Sequence, residues 1–501
     1  MFTDETLDGV EFKSSWKKER SLTSSGTQTS EVQVHDVAAQ AVKRAHVEVQ
    51  TIPEQETVPN LELLGSNPEG LGDFLHRVLP EVSRCLDENA RSHAFDGYEV
   101  DWQDDNSAVS CLHVLEHTAL NRELQCTGLS WNCHGSTLAV SFGRMDHQDW
   151  CTHKGSLCTW NLERRSMSST KADVAIDVSN CLMCTTFHPI HPALLVGGTF
   201  NGEVMVWDLS REDENLVATS GIGDDTHREP VTQLYWLQDP SRPKKYDIIS
   251  ASADGKVLRW VVNERKGSLV LEEGFILLAS CLPAGFNAGS RSRSDGEMGV
   301  SGVSFVEEDK TQFVLGSESG GLFKCSVNSK GPVPTGETIL SIPLYSPVTF
   351  AFHPHDGPVH ALQCSPFHRN LFLSCGTDMC IRVYSMLEAR PIFSVEPGQG
   401  YIFSAQWSPV RPLVFAAATG RGHLLLYDLR RSKVKPTCSL EASQDKQPVS
   451  IVEFNKSNRR LLASGDACGV IMIWQLSDDL TVQVSREAEM LADIADSALD
   501  L

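Results

Sequence analysis

From about residue 126 the chain repeats one pattern of apolar and polar positions: an apolar run ending in small residues, a tight turn, and an alternating strand closed by an aromatic residue. The clearest copy runs from Leu195 to Asp208. Leu195 to Thr199 form its first strand, Asn201-Gly202 its turn, and Val204 and Val206 alternate with Met205 and Trp207 as both faces of a packed strand require. Asn-Gly is the residue pair of a two-residue hairpin, supplying positive φ angles, so the unit predicts strand, turn, strand.

Related units end at Trp160, Trp260, Tyr384, Tyr427 and Trp474, and a degenerate one lies between Phe313 and Lys324, which makes seven in all. Several share an upstream strand ending in a turn at His188-Pro189, Ser365-Pro366 or Ser408-Pro409. The closing aromatics are spaced 47 residues from Trp160 to Trp207, 53 to Trp260, 43 from Tyr384 to Tyr427 and 47 to Trp474. Those spacings sit at or just above the period of roughly 40–45 residues of a WD repeat. The recurring cassette resembles the WD-repeat family, which implies an all-β, seven-bladed WD-repeat β-propeller. Ring closure leaves only short, protected sheet edges. The last unit lacks an outer strand, which residues 108–115 are expected to supply, placing the ring at 93–480 and leaving 481–501 as an acidic C-terminal tail. His355 and the turn residue Asp378 are read as a structural hydrogen-bonded pair of that fold and not as catalytic groups.

Two segments depart from the repeat. The first hairpin is enlarged by residues 143–150, where Asp146, His147, Asp149 and Trp150 mix charge with an aromatic side chain and make a candidate partner loop. Residues 285–299 form a Gly/Ser/Arg-rich insertion, read as a loop.

Ahead of the ring, residues 1–66 carry no sustained periodicity and read as a disordered arm. Within it, Thr27-Gln28-Thr29 and Val49-Gln50-Thr51 have their glutamines 22 residues apart. Each suits docking as an added edge strand, with backbone hydrogen bonds giving affinity and alternate side chains specificity. Both resemble the Thr-Gln-Thr motif recognised by the dimeric hub light chain of dynein, although neither has the basic residue often seen two places upstream. Between arm and ring, Leu71, Phe74, Leu75, Val78, Leu79, Val82 and Leu86 recur at intervals of three and four, drawing an apolar stripe along a helix expected over 67–92. Asn67-Pro68 is its expected start, and Pro80 should kink or split it.

Composition narrows the function. Forty-three basic against 65 acidic residues give a formal charge of -22, which disfavours nonspecific attraction to nucleic acid or anionic lipid. The first five residues include two acids, Asp4 and Glu5, where a signal peptide would be basic, and no apolar run approaches the roughly 20 residues of a membrane span, so the expectation is a soluble intracellular protein without membrane insertion. The 15 cysteines lack the spacing of a disulfide framework. Cys181 and Cys184 form one C-x-x-C, but His188 and His191 follow too closely for a zinc finger. No metal, no cofactor and no catalytic residue is expected, since phosphate-binding Gly-Lys loop, zinc-ligand series and nucleophile elbow are all missing from the sequence.

The order of parts resembles the WD-repeat dynein intermediate chains. Residues 92–100 (Ser-His-Ala-Phe-Asp-Gly-Tyr-Glu-Val), 146–150 (Asp-His-Gln-Asp-Trp) and 365–374 (Ser-Pro-Phe-His-Arg-Asn-Leu-Phe-Leu-Ser) look most like those of cytoplasmic dynein-2. The resemblance implies a non-catalytic scaffold for retrograde intraflagellar transport and cilium assembly, placed in the cytoplasm, cytoskeleton, cilium and basal body or centrosome region. The ring would hold a dynein-2 heavy chain, the Gln-Thr motifs hub light chains and the 71–86 stripe a roadblock-type light chain, beside a second intermediate chain. The alternative is a WD-repeat adaptor of another complex, such as a ubiquitin-ligase substrate receptor.

Overall fold

The computed structural model describes residues 70–91, 109–120, 123–147, 150–211, 214–239, 242, 244–283, 296–333 and 340–497. The chain divides into two units, 1–101 and 102–501. Both Gln-Thr motifs, Asn67-Pro68, Asp149 and most of the 285–299 insertion lie outside the described residues.

In the first unit, helix α1 spans Leu71–Arg91 and contains Pro80. It starts later than expected, where the Phe74 amide donates to the Gly70 carbonyl at 2.9 Å. It also runs unbroken through Pro80, so of the kink or split expected there the split does not occur. A proline removes one backbone hydrogen bond, and the turns on both sides carry strong helix formers such as Leu79, Glu81 and Arg84.

The second unit is built from strands. Among the described residues they form five four-stranded sheets and one nine-stranded sheet. The large sheet is two four-stranded arrays touching at a single residue pair, Thr219 with Ser268, plus the short strand Leu344–Tyr345. Divided there, the described residues of the unit contain seven antiparallel arrays, termed blades 1 to 7 here: 125–178, 182–219, 231–276, 300–352, 359–395, 402–441 and 449–476. Blade 7 has only three strands of its own. Its fourth is Val109–Leu115, paired antiparallel with Ile471–Leu476, so the start of the unit closes its end. That is the closing strand expected from residues 108–115.

Packing closes the circle. Buried apolar residues fall into seven clusters, each shared by two neighbouring blades, and the last joins blade 7 to blade 1 through Ile471, Ile473, Leu138 and Trp160. The closing aromatics Trp160, Trp207, Trp260, Tyr384, Tyr427 and Trp474 are all buried there. Hydrogen bonds between first strands follow the same cycle. Phe187, Val303, Cys364, Trp407 and Phe454 amides donate to Ser130 Oγ, Gln233 Oε1, Ser304 Oγ, Gln363 Oε1 and Gln406 Oε1 of the preceding blade at 2.6–2.9 Å. Trp236 Nε1 donates to the Thr186 carbonyl at 3.3 Å, and Ser450 Oγ to the Cys126 carbonyl at 2.6 Å, completing the ring.

The Asn-Gly turn differs from the expected two-residue hairpin. Only Gly202 has positive φ, at +85°, and the Thr199 amide donates to the Glu203 carbonyl at 2.9 Å. The turn is therefore longer, with one left-handed glycine ending it. A Cβ at Gly202 would lie 2.3 Å from the His227 carbonyl oxygen, so close approach adds a second requirement for glycine. The same turn position is Gly255, Gly320, Gly422 and Gly469 elsewhere, but in blade 5 it is Met379, at φ +63°.

The stretch expected as an acidic tail is folded through Asp496. Helix α2 spans Asp478–Thr481 and helix α3 Glu487–Asp496. Leu491, Ile494 and Ala495 join the apolar cluster between blades 5 and 6. Glu487 is completely buried and paired with the buried guanidinium of Arg411, which also lies 3.4 Å from Asp428 Oδ2. A buried acid with a dedicated cation, not a solvated charge run, anchors this end of the chain.

Candidate partner-binding surfaces

Helix α1 carries charge on one side, where Arg84 pairs with Glu81 at 2.5 Å and Glu88 at 2.6 Å. The opposite side presents the predicted stripe. Leu71, Phe74, Leu75, Leu79, Val82 and Leu86 are exposed, Leu79 at 61% and Leu86 at 62%, while Val78 is half-buried. Six exposed apolar side chains along one helix face make a candidate docking surface, because fully burying each such side chain is worth roughly 1.5–3 kcal/mol.

The enlarged hairpin of blade 1 projects Met145 and Trp150, both more than half exposed. Its base is fixed. Arg144 pairs with Glu123 at 2.5 Å and Asp146 at 2.8 Å, and the Arg144 guanidinium holds the Asp146 carboxyl down at about 2. His147 lies edge-on to Phe200, with ring centroids 4.4 Å apart, and 5.1 Å from His153. Burial and the neighbouring His153 lower its pKa. The sequence pointed to Asp146, His147 and Trp150. Cys151 and His153, which complete a close group with His147, went unread, although the spacing His-x3-Cys-x-His was visible.

Two groupings inside the ring look like hydrolase machinery. His355 Nδ1 lies 2.8 Å from Asp378 Oδ2, and its Nε2 2.8 Å from Ser374 Oγ. His227 repeats the arrangement with Asp254 at 3.2 Å and Ser250 at 2.7 Å, and Trp260 Nε1 donates to the same serine at 2.8 Å. Ser250 and Ser374 are completely buried, so no substrate reaches either hydroxyl. Burial lowers the His355 pKa, which keeps the imidazole neutral and hydrogen-bonded to both partners. Each group ties a turn to the strands of its own blade, which is the structural reading made of His355 and Asp378. Cys181 and Cys184 do not act together either. Cys184 packs into the cluster of blades 2 and 3 with its thiol pushed up to about 12 by burial, whereas Cys181 faces the blade 1 hairpin.

A central channel runs between the first strands of all the blades. Glu453 is half-buried there, accepts a hydrogen bond from Gln406 Nε2, and is pushed up to about 7 by burial. No described helix is long and apolar enough to cross a membrane.

A WD-repeat ring whose serine–histidine–aspartate groups are sealed inside its blades, in a chain that also carries the exposed apolar face of α1, defines a non-catalytic interaction scaffold. The family model described as "Dynein axonemal intermediate chain 3 WD40 domain" matches residues 298–478. The mouse (Mus musculus) protein "Cytoplasmic dynein 2 intermediate chain 2" is 43% identical over 491 residues, covering 97% of this chain and 91% of its own. Its human (Homo sapiens) counterpart is 43% identical over 426 residues, covering 85% and 79%. "Cytoplasmic dynein 1 intermediate chain" of Drosophila melanogaster is 24% identical over 432 residues, covering 84% and 59%. This chain belongs to the cytoplasmic dynein 2 intermediate chains, within the wider family of WD-repeat dynein intermediate chains. That membership disfavours the ubiquitin-ligase receptor alternative.

Proposed function

We propose that this chain is the non-catalytic intermediate-chain subunit of a cytoplasmic dynein-2 motor, scaffolding heavy and light chains for retrograde intraflagellar transport and cilium assembly. The observation that carries the reading is the 43% identity extending over 97% of the chain, arm and helix included, to a protein named as a dynein-2 intermediate chain. The ring is assigned to the heavy-chain tail and the α1 stripe to a roadblock-type light chain. Thr27, Gln28, Thr29, Val49, Gln50 and Thr51 are assigned to hub light chains, and a second intermediate chain shares the assembly. The cytoskeleton, the cilium and the basal body or centrosome region are its expected locations.

Assembly by multivalency is the mechanism this reading requires. A hub dimer that grips two arms makes later contacts intramolecular, which raises their effective concentration without enlarging any interface. Calorimetric titration of the full chain with hub light chain, beside a chain carrying Gln28→Ala and Gln50→Ala, tests the arm assignment. Saturable binding lost in the double variant is the expected result; no binding by the unaltered chain overturns it.

A further inference from the structure

The base of the blade 1 hairpin brings together His147, Cys151 and His153, whose ligating atoms all lie within 4.8 Å of one another. We propose that these three side chains bind a zinc ion, which fixes the loop carrying Met145 and Trp150.

The donor set argues for the metal. One thiolate and two imidazoles suit zinc and not magnesium or calcium, which take oxygen ligands. In a tetrahedral zinc site with bonds of roughly 2.0–2.3 Å, ligand atoms sit about 3.4–3.6 Å apart. The observed group is therefore within about 1.4 Å of closure, an adjustment that side-chain rotation supplies.

Its surroundings are built as a ligand shell needs. The Nε2 of His147 is buried and has no hydrogen-bond partner, which is costly for a polar atom and is relieved by coordination. Cys151 is buried, and its main chain is clamped on both sides: its amide donates to Asn201 Oδ1 and its carbonyl accepts from Asn201 Nδ2, each at 2.9 Å. The Cys181 amide donates to Cys151 Sγ at 3.5 Å, the kind of outer-shell bond that supports a thiolate on a metal. Phe200 packs against the His147 ring and limits its rotation. Arg144, which opposes positive charge on His147, is paired with Glu123 and Asp146, and the Asp146 carboxylate favours positive charge there in turn. His153 is exposed and leaves an entry path from solvent.

The consequence is mechanical. Loop residues on either side of the metal would be tied to blade 2 through Asn201 and Cys181, holding the exposed Trp150 in place for a partner.

The test uses the purified full chain, loaded with zinc, dialysed, and assayed for metal content, with cobalt(II) as a spectroscopic replacement. About one zinc per chain and a thiolate-to-cobalt charge-transfer band are expected. Cys151→Ser should abolish the band. His153→Ala, which alters an exposed side chain and so leaves the fold intact, should weaken zinc binding at least about tenfold. Well under one zinc per chain, a cobalt spectrum without a sulfur band, or binding unchanged in both variants overturns the proposal.

Discussion

Replacing Glu487 with alanine tests whether the C-terminal helix belongs to the ring. Glu487 and Arg411 are both completely buried, and the remaining polar neighbours of the Arg411 guanidinium are the Asp479 carbonyl and Asp428 at 3.4 Å. Removing one member of a buried pair costs about 3–5 kcal/mol, because the other charge stays out of water. Asp428 still offsets part of the Arg411 charge, so the expected loss is about 3 kcal/mol, at the lower end. Leu491→Ala, which empties a packed site between blades 5 and 6, should cost about 2–5 kcal/mol by a separate, apolar route. Replacing Arg411 and Glu487 together by methionine and leucine should restore part of the loss, since an apolar pair avoids the desolvation of both charges while Asp428, which loses Arg411, keeps Arg430 and Arg431 within 4 Å. Urea unfolding of the full chain reads all three: at a slope of about 3 kcal/mol per molar, the Glu487→Ala midpoint falls by about 1 M. An unchanged midpoint in Glu487→Ala and in a chain ending at residue 480 would refute the docked helix and return 481–501 to a solvated tail.

Three further outcomes follow from the geometry. Leu75→Glu with Leu79→Glu places charge in the exposed stripe of α1; it should leave the urea midpoint of the ring unchanged and abolish capture of a roadblock-type light chain, measured by size-exclusion co-elution. Glu453 titrates at about 7 in the fold against 4.5 ordinarily, so the folded state holds its proton more tightly and stability falls as pH rises from about 4.5 to 7. Glu453→Gln should remove that slope and raise stability at pH 8 by about 1–2 kcal/mol, an upper limit of about 3 being reduced by solvent in the channel; equal midpoints for both proteins at pH 8 would count against it. Met379→Gly relieves a left-handed residue costing about 1–2 kcal/mol, partly offset by the extra freedom glycine has when unfolded, for a net gain of about 0.5–1 kcal/mol in thermal denaturation.

The repeat was readable because its information is local. Alternation along Val204 to Trp207, small residues in Leu195 to Thr199 and a glycine three positions after most of the inner strands are all set within one hairpin. The closing strand was readable for a different reason: the last unit had one strand too few, and a ring cannot leave that edge open. Turn geometry was not readable to the same depth. Asn-Gly serves both a two-residue hairpin and the longer turn found here, and the choice depends on Thr199 pairing with Glu203 and on the backbone of His227 crowding Gly202 from the next blade. The docking of helix α3, within the helix-like stretch 486–501, was hidden for the same kind of reason. Glu487 lies among other acids in the sequence, and its partner Arg411 is 76 residues away.

Reactive residue types proved a poor guide to where this chain works. The side chains that would attract a search for catalysis, Ser250 with His227 and Asp254, or Ser374 with His355 and Asp378, are sealed between strands and satisfied by one another. Their repetition at equivalent places in two blades argues the same way, because a fold-stabilising bond is needed in each blade, whereas an active site is needed once. The surfaces free to meet another molecule are instead chemically plain: leucines on α1, and Met145 and Trp150 on a pinned loop. Exposed apolar area carries a free-energy cost that only a partner removes, and in a scaffold that cost is what marks a binding face. Exposure of the least reactive residues, weighed against burial of the most reactive, is therefore the physical basis for reading this ring as a holder of other proteins.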